Sequence, residues 1–212
     1  MLYLKQFTFN PFQENTYLLY NDLNEAIIID PGNFNNTENT ILKNFISEKN
    51  LNLTRLLLTH AHIDHVLGNK FIFDQYGLLP EMNKKDLFFI QNMEKSATLY
   101  GIPFEQSPLP KRFIIDGETI YLGKYQLKCI ETPGHSPGSI CFYIPSNNIL
   151  IGGDVLFLNS IGRTDLPLGN HQDLINSINT KLFELSDDTK VYSGHGPSTT
   201  IGHEKNTNPF LN

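Results

Sequence analysis

Three imidazoles and a carboxylate fall within six residues of this chain, in Thr59-His60-Ala61-His62-Ile63-Asp64-His65. Further along come His135 in Thr132-Pro133-Gly134-His135, Asp154 in Gly152-Gly153-Asp154, and His195 in Ser193-Gly194-His195-Gly196. Only His171 and His203 of the 7 histidines lie outside these strings. A lone loop histidine is ordinarily a surface residue, but this clustering has the spacing of metal ligands. Five histidines and two aspartates suffice for two metal ions if one aspartate bridges them. The donors are nitrogen and oxygen, and neither cysteine lies in a ligand string. That set suits zinc, iron or manganese, and affinity order alone does not choose among them. Structural zinc sites are closed and cysteine-rich, so histidine and aspartate on loops point to catalysis.

Each string must be positioned, and the segment before each reads as a strand. Leu53–Thr59 is an apolar run ending at His60, and residues 125–131 alternate with the period of a half-buried strand. Asn148–Gly153 ends at Asp154, and Lys190–Ser193 ends at Gly194-His195. Strand ends of one layered domain can converge on one rim. An extended chain past His60 would turn His60, His62 and Asp64 to one side. A turn into a following helix would bring in His65.

Further strands are expected at 3–9, 15–20, 26–30, 112–116, 118–123 and 139–144. Helices are expected at 36–50, 67–76, 84–100 and 171–185, the second ended by Gly77. This is an α/β pattern. With 212 residues and no repeat or low-complexity linker, one domain over 1–212 is the simplest organisation.

Composition excludes several function classes. The net charge of −6 comes without any Lys/Arg stripe, which argues against a nucleic-acid partner. No stretch approaches the roughly twenty apolar residues of a membrane span, and the N-terminus lacks a signal-peptide pattern. A cytoplasmic protein with Cys129 and Cys141 as buried thiols is the expectation.

The order H-x-H-x-D-H, His, Asp, His resembles the metallo-β-lactamase superfamily, with Asp30-Pro31-Gly32 extending the likeness towards the N-terminus. Gly162-Arg163-Thr164-Asp165 and the tail Gly196–Lys205 look like small bacterial proteins of its glyoxalase II (hydroxyacylglutathione hydrolase) branch. The resemblance implies a four-layer αββα sandwich. It also implies two divalent metal ions per chain, zinc foremost. The first ion would take His60, His62 and His135, and the second Asp64, His65 and His195. Asp154 would join both, with a bridging water or hydroxide. Asp64 would take the acid/base role. Asp30 would orient a ligand histidine, or would equally serve an Asp-Pro-Gly turn. Lys205 is the one Lys or Arg after His195, so the basic grip with which full-length glyoxalase II enzymes hold glutathione is not expected.

The activity this implies is hydrolysis of a small-molecule thioester. An iron-dependent persulfide dioxygenase and a lactonase or β-lactamase-like hydrolase are alternatives on the same scaffold. Arg163 is the candidate substrate contact, since a guanidinium suits a carboxylate. Pairing with Asp165 within its own loop is the competing reading.

Overall fold

The structure is a computed structural model that describes residues 1–211. The chain divides into two compact units, Met1–Phe113 and Ile114–Asn212. Length and composition do not announce this division.

The first unit is a six-stranded sheet with helices. In chain order it contains β1 (Leu2–Phe9), β2 (Glu14–Asn21), β3 (Glu25–Ile29), α1 (Asn36–Glu48), β4 (Asn52–Leu57), α2 (Asn69–Tyr76), β5 (Pro80–Met82), α3 (Leu87–Gln91), α4 (Met93–Tyr100) and β6 (Arg112–Phe113). The strands lie side by side in sequence order. β1, β2 and β3 form an antiparallel meander, while β3 through β6 run parallel. Parallel neighbours need crossovers, and α1 supplies the one between β3 and β4. Asn35 starts α1 by accepting from the Thr37 and Glu38 amides. Leu18, Ile28, Leu56, Leu42 and Ile72 are fully buried together in one core. Each such side chain contributes about 1.5–3 kcal/mol. Because β3 and β4 are parallel, the residues just beyond them, Asp30 and Thr59, come out side by side.

The second unit contains β7 (Thr119–Leu122), β8 (Tyr125–Glu131), β9 (Ile140–Ile144), β10 (Ile149–Gly153), β11 (Leu156–Phe157), β12 (Ser160–Ile161), α5 (His171–Ser177), β13 (Lys190–Ser193), β14 (Thr199–Thr200) and α6 (Ile201–Thr207). Its main sheet has the order β14-β13-β10-β9-β8-β7, and β11 and β12 form a small hairpin apart from it. β10 and β13 are parallel, and β9 runs antiparallel to both β8 and β10. β8, β10 and β13 therefore end on the same edge of the sheet. Leu150, Val191, Leu174, Ile178 and Ile201 are buried in this unit's core. Cys129 and Cys141 are buried thiols.

Two expected helices differ from the sequence reading. The helix expected over 84–100 is three pieces: a 3-10 turn at Lys84–Asp86, then α3, then α4. Asn92 interrupts it, with its side-chain amide donating to the Phe88 carbonyl at 2.8 Å. That local bond competes with continuing the helix. The helix expected over 171–185 is α followed by a π-helical turn at Ile178–Leu182. Among the described residues no helix is long and apolar enough to cross a membrane.

Candidate metal centre

The first motif leaves β4 at Leu57 and winds into a 3-10 turn at Ile63–His65. It brings its three imidazoles together. The His60 ring centroid lies 4.8 Å from that of His62 and 4.1 Å from that of His65. His60 and His65 are buried. The His65 turn also carries Asp64, whose Oδ2 is 3.6 Å from His65 Nε2.

Asp30 decides which imidazole nitrogens face the ligand position. Its Oδ1 accepts from the Thr59 amide at 2.7 Å. Its Oδ2 accepts from the Thr59 hydroxyl at 2.5 Å and lies 3.1 Å from His65 Nδ1. A carboxylate only accepts, so His65 carries its proton on Nδ1 and presents a lone pair at Nε2. The Thr59 hydroxyl spends its one donor on Asp30. At His60 Nδ1, 3.1 Å away, it therefore accepts, and His60 Nε2 also keeps its lone pair. Asp30 is thus an orienting partner of two candidate ligands, the arrangement that fixes tautomers in metal sites. It sits at φ +50, a left-handed conformation that aspartate tolerates better than most residues.

Three further residues hold this loop without any sequence signal. The Asp86 carboxylate accepts from the Ala61 amide at 3.0 Å. Asn10 donates to the carbonyls of Gly32 and Asp64, both at 2.9 Å. Glu14 is fully buried, with Oε1 3.7 Å from His65 Nδ1 and Oε2 accepting from Thr16. Burial pushes its carboxyl well above the usual carboxylate range, against the opposing pull of His65. Only the tertiary fold brings these groups to the motif.

The second unit assembles His135, Asp154 and His195. Asp154 follows β10 directly, and His195 lies two residues past the parallel β13. His135 follows β8 through Thr132-Pro133-Gly134. That loop rests on α5: Asn170 donates its amide to the Gly134 carbonyl at 2.7 Å, and Ser177 donates to the Pro133 carbonyl at 2.8 Å. Gly134 has φ +143, and a Cβ there would meet the Leu174 backbone at 2.3 Å. Only glycine fits so close an approach. His135 Nδ1 lies 2.8 Å from the Arg163 carbonyl. That carbonyl can only accept, so Nε2 is the exposed lone pair. Asp154 Oδ2 lies 3.5 Å from both His135 Nε2 and His195 Nε2.

These separations test whether the residues fit a metal. Hydrogen bonds run at about 2.7–3.2 Å. Two donors each about 2.0–2.2 Å from a shared tetrahedral ion stand about 3.3–3.6 Å apart. The Asp64–His65 separation is 3.6 Å and both Asp154–histidine separations are 3.5 Å. All three match the edges of a coordination tetrahedron, and at His65 and His135 the nitrogen involved is the one left with a lone pair. Asp154 Oδ2 stands between two imidazoles, as a shared ligand must.

Arg163 makes the pairing within its own loop that the sequence also allowed. Its guanidinium makes two bonds to Asp165, both 2.7 Å, on an exposed loop. Those bonds hold the Asp165 carboxyl down at about 2. The Arg163 main-chain carbonyl faces His135 Nδ1.

The profile of the metallo-beta-lactamase superfamily matches residues 9–195. The hydroxyacylglutathione hydrolase GloC of Haemophilus influenzae is 42% identical over 203 residues, covering 95% of this chain and 94% of its own. Among solved structures, BLEG-1, a B3 metallo-beta-lactamase, superposes with a TM-score of 0.91 at 37% identity, covering 99% of each chain. TTHA1623, solved in a di-iron-bound form, gives 0.88 at 35% identity, covering 98% of this chain and 100% of its own.

Proposed function

This chain belongs to the metallo-beta-lactamase superfamily and has its fold, and from that premise we propose that it is a thioesterase of the hydroxyacylglutathione hydrolase type that works with two divalent metal ions. The observation carrying the proposal is the set of tetrahedral-edge separations around Asp64, His65, His135, Asp154 and His195. The ligand assignment follows the family signature. By that signature His60, His62 and His135 would hold one ion, Asp64, His65 and His195 the other, and Asp154 would serve both.

When bound, such a pair of ions activates water near neutral pH and polarises a carbonyl oxygen. The chain's own residues do the rest. Asp30 and Thr59 keep protons on the Nδ1 atoms of His65 and His60, so that Nε2 is the donor in each. The Arg163 carbonyl does the same for His135. The Asp64 carboxylate takes and returns the proton of the attacking water. It is held from behind by the Asn10 bond to its own carbonyl. No serine or cysteine nucleophile is called upon. Consistent with that, burial pushes the Cys141 thiol up to about 12, far from a nucleophile's range.

Similarity to GloC supports a thioester substrate, and zinc is the proposed metal. The likeness to BLEG-1 favours β-lactam hydrolysis as a second reading. One experiment tests both. Metal content is measured on the purified protein, and turnover of S-lactoylglutathione, of a chromogenic cephalosporin and of glutathione persulfide is measured on the same sample. Two ions with thioester turnover is the expected result. One iron with oxygen consumption on the persulfide would overturn the hydrolase.

A further inference from the structure

The sequence string Gly196–Lys205 has no part in the chemistry above, yet its fold connects it to the ligands. It forms β14 and α6. On the first turn of α6 lies Glu204, a fully buried carboxylate. Its Oε1 accepts from the Thr199 hydroxyl. Its Oε2 accepts from the Asn159 amide at 3.0 Å and from Asn208 Nδ2 at 2.7 Å.

Asn159 is the tip of the β11–β12 hairpin, at φ +55. The tail grips that tip at two more points. His203 Nε2 lies 2.9 Å from Asn159 Oδ1, and Asn208 donates to the Ser160 carbonyl at 3.0 Å. The base of the hairpin is the metal-ligand region itself. β11 begins two residues after Asp154, and β12 ends two residues before Arg163. At the base, Gly162 donates to the Val155 carbonyl at 3.2 Å. A Cβ on Gly162 would lie 1.9 Å from the Asp154 carbonyl oxygen and 3.2 Å from the His135 Cβ. Ser193, two residues before His195, donates to the Leu156 carbonyl at 2.6 Å. The hairpin therefore touches the backbone setting of all three ligands in this unit, and its far end is anchored by one buried carboxylate.

We propose that Glu204 is a positioning residue for the metal centre, acting through the β11–β12 hairpin to fix His135, Asp154 and His195. This rests on the reading of those three residues as metal ligands. The hairpin is two residues per strand and too short to hold its own shape in water. Its placement must come from outside: Glu204 bonds the tip directly at Asn159 and, through its bonds to Thr199 and Asn208, holds the tail that grips Ser160. Partners beyond the ligands tune affinity about 10–100-fold when removed, and a carboxylate at one further remove belongs at the lower end.

The substitutions separate positioning from simple folding. Glu204→Ala removes all three acceptor bonds. Glu204→Gln keeps them: the amide oxygen takes the Asn159 and Asn208 donors, and the amide nitrogen donates to the Thr199 hydroxyl, which can accept. The test uses the full-length zinc-loaded protein. It measures release of each ion to a chelator and the visible absorption of the cobalt-substituted form. Expected is a weakening of metal affinity of about tenfold in Glu204→Ala, with an altered cobalt spectrum, and a return to the wild-type values in Glu204→Gln. A loss of thermal stability alone, with both ions held at wild-type affinity and an unchanged spectrum, overturns the proposal. If Glu204→Ala does not fold, Asn208→Ala carries the test, since it severs the Ser160 bond from the periphery. Several-fold weaker metal binding in it supports the proposal, and wild-type affinity refutes it. A wild-type chain that binds no metal overturns the ligand reading and this inference with it. Binding in the wild type with an indistinguishable Glu204→Ala overturns the inference alone.

Discussion

Replacing Asp30 by asparagine turns one acceptor atom into a donor, removes the charge and changes almost nothing else. Asparagine is isosteric and tolerates the left-handed φ of +50 at this position. Its amide oxygen can still accept from the Thr59 amide, as Oδ1 does at 2.7 Å. The amide nitrogen then replaces Oδ2, which faces both the Thr59 hydroxyl and His65 Nδ1. A donor now meets His65 Nδ1, which must accept and so shifts its proton to Nε2. The Thr59 hydroxyl turns to accept from the new amide and offers its own proton to His60 Nδ1, 3.1 Å away. Both imidazoles are pushed into the tautomer whose Nε2 no longer offers a lone pair. Loss of an orienting partner costs about 10–100-fold in metal affinity, or about 1.4–2.7 kcal/mol at 1.4 kcal/mol per tenfold. The metal-free protein should lose only roughly 1–2 kcal/mol, because charged acceptor bonds become neutral ones rather than vanishing. Chelator competition measures the first quantity, and nitrogen-15 NMR of the imidazoles in the metal-free protein reads the tautomers. Wild-type affinity in Asp30→Asn, or protons still on both Nδ1 atoms, would refute the reasoning.

Elemental analysis should find two divalent ions per chain with zinc in excess, and their removal should lower the melting temperature, because metal affinity is coupled to folding; equal melting of metal-free and loaded protein would contradict this. Asp154→Ala should lose metal and activity far more than His203→Ala, since Asp154 Oδ2 stands 3.5 Å from two imidazoles and the His203 ring reaches the hairpin tip at Asn159; the same chelator and turnover assays decide. Turnover of glutathione thioesters gives the KM in which a substrate contact would show. Arg163→Ala should leave that KM within about twofold, since its guanidinium is engaged with Asp165; a large rise would assign it to substrate. Cys141 ionises only near 12 when folded but near 8.5 in an unfolded chain. Its folded pKa is raised, so the stability it contributes is fully present below about 8.5 and is lost as pH rises towards 12. Urea denaturation between pH 8 and 10.5 should show that decline, and Cys141→Val should flatten it.

The candidate ligands were legible because their signal is local: side-chain type, order and short spacing. The strands were legible where alternation is long enough, as in β8, whose Tyr125, Leu127 and Cys129 are buried while Gln126 and Lys128 are exposed. Where an element is two or three residues long, as in β5, β6, β11, β12 and β14, no period exists to read. The interruption at Asn92 depends on a side-chain bond to Phe88 that competes with the helix ladder. Asp86, Glu14 and Asn10 carry no pattern of their own, because each reaches the motif only through the tertiary fold. The tail read as a family string and acquired a physical role only when α6 set Glu204 against Asn159.

Gly134 has no functional group, yet it is the least replaceable residue of its string. A Cβ would overlap the α5 backbone at 2.3 Å, and a helix backbone cannot step aside as a side chain can. His135 beside it can shrink to alanine and leave the chain folded. A random library sorted for soluble, folded protein would therefore retain many residues at 135 and glycine alone at 134. The same library sorted for turnover would retain one residue at each and could not tell the chemical requirement from the steric one. Mutational intolerance at adjacent positions here has two unrelated origins, and only the pair of selections separates them.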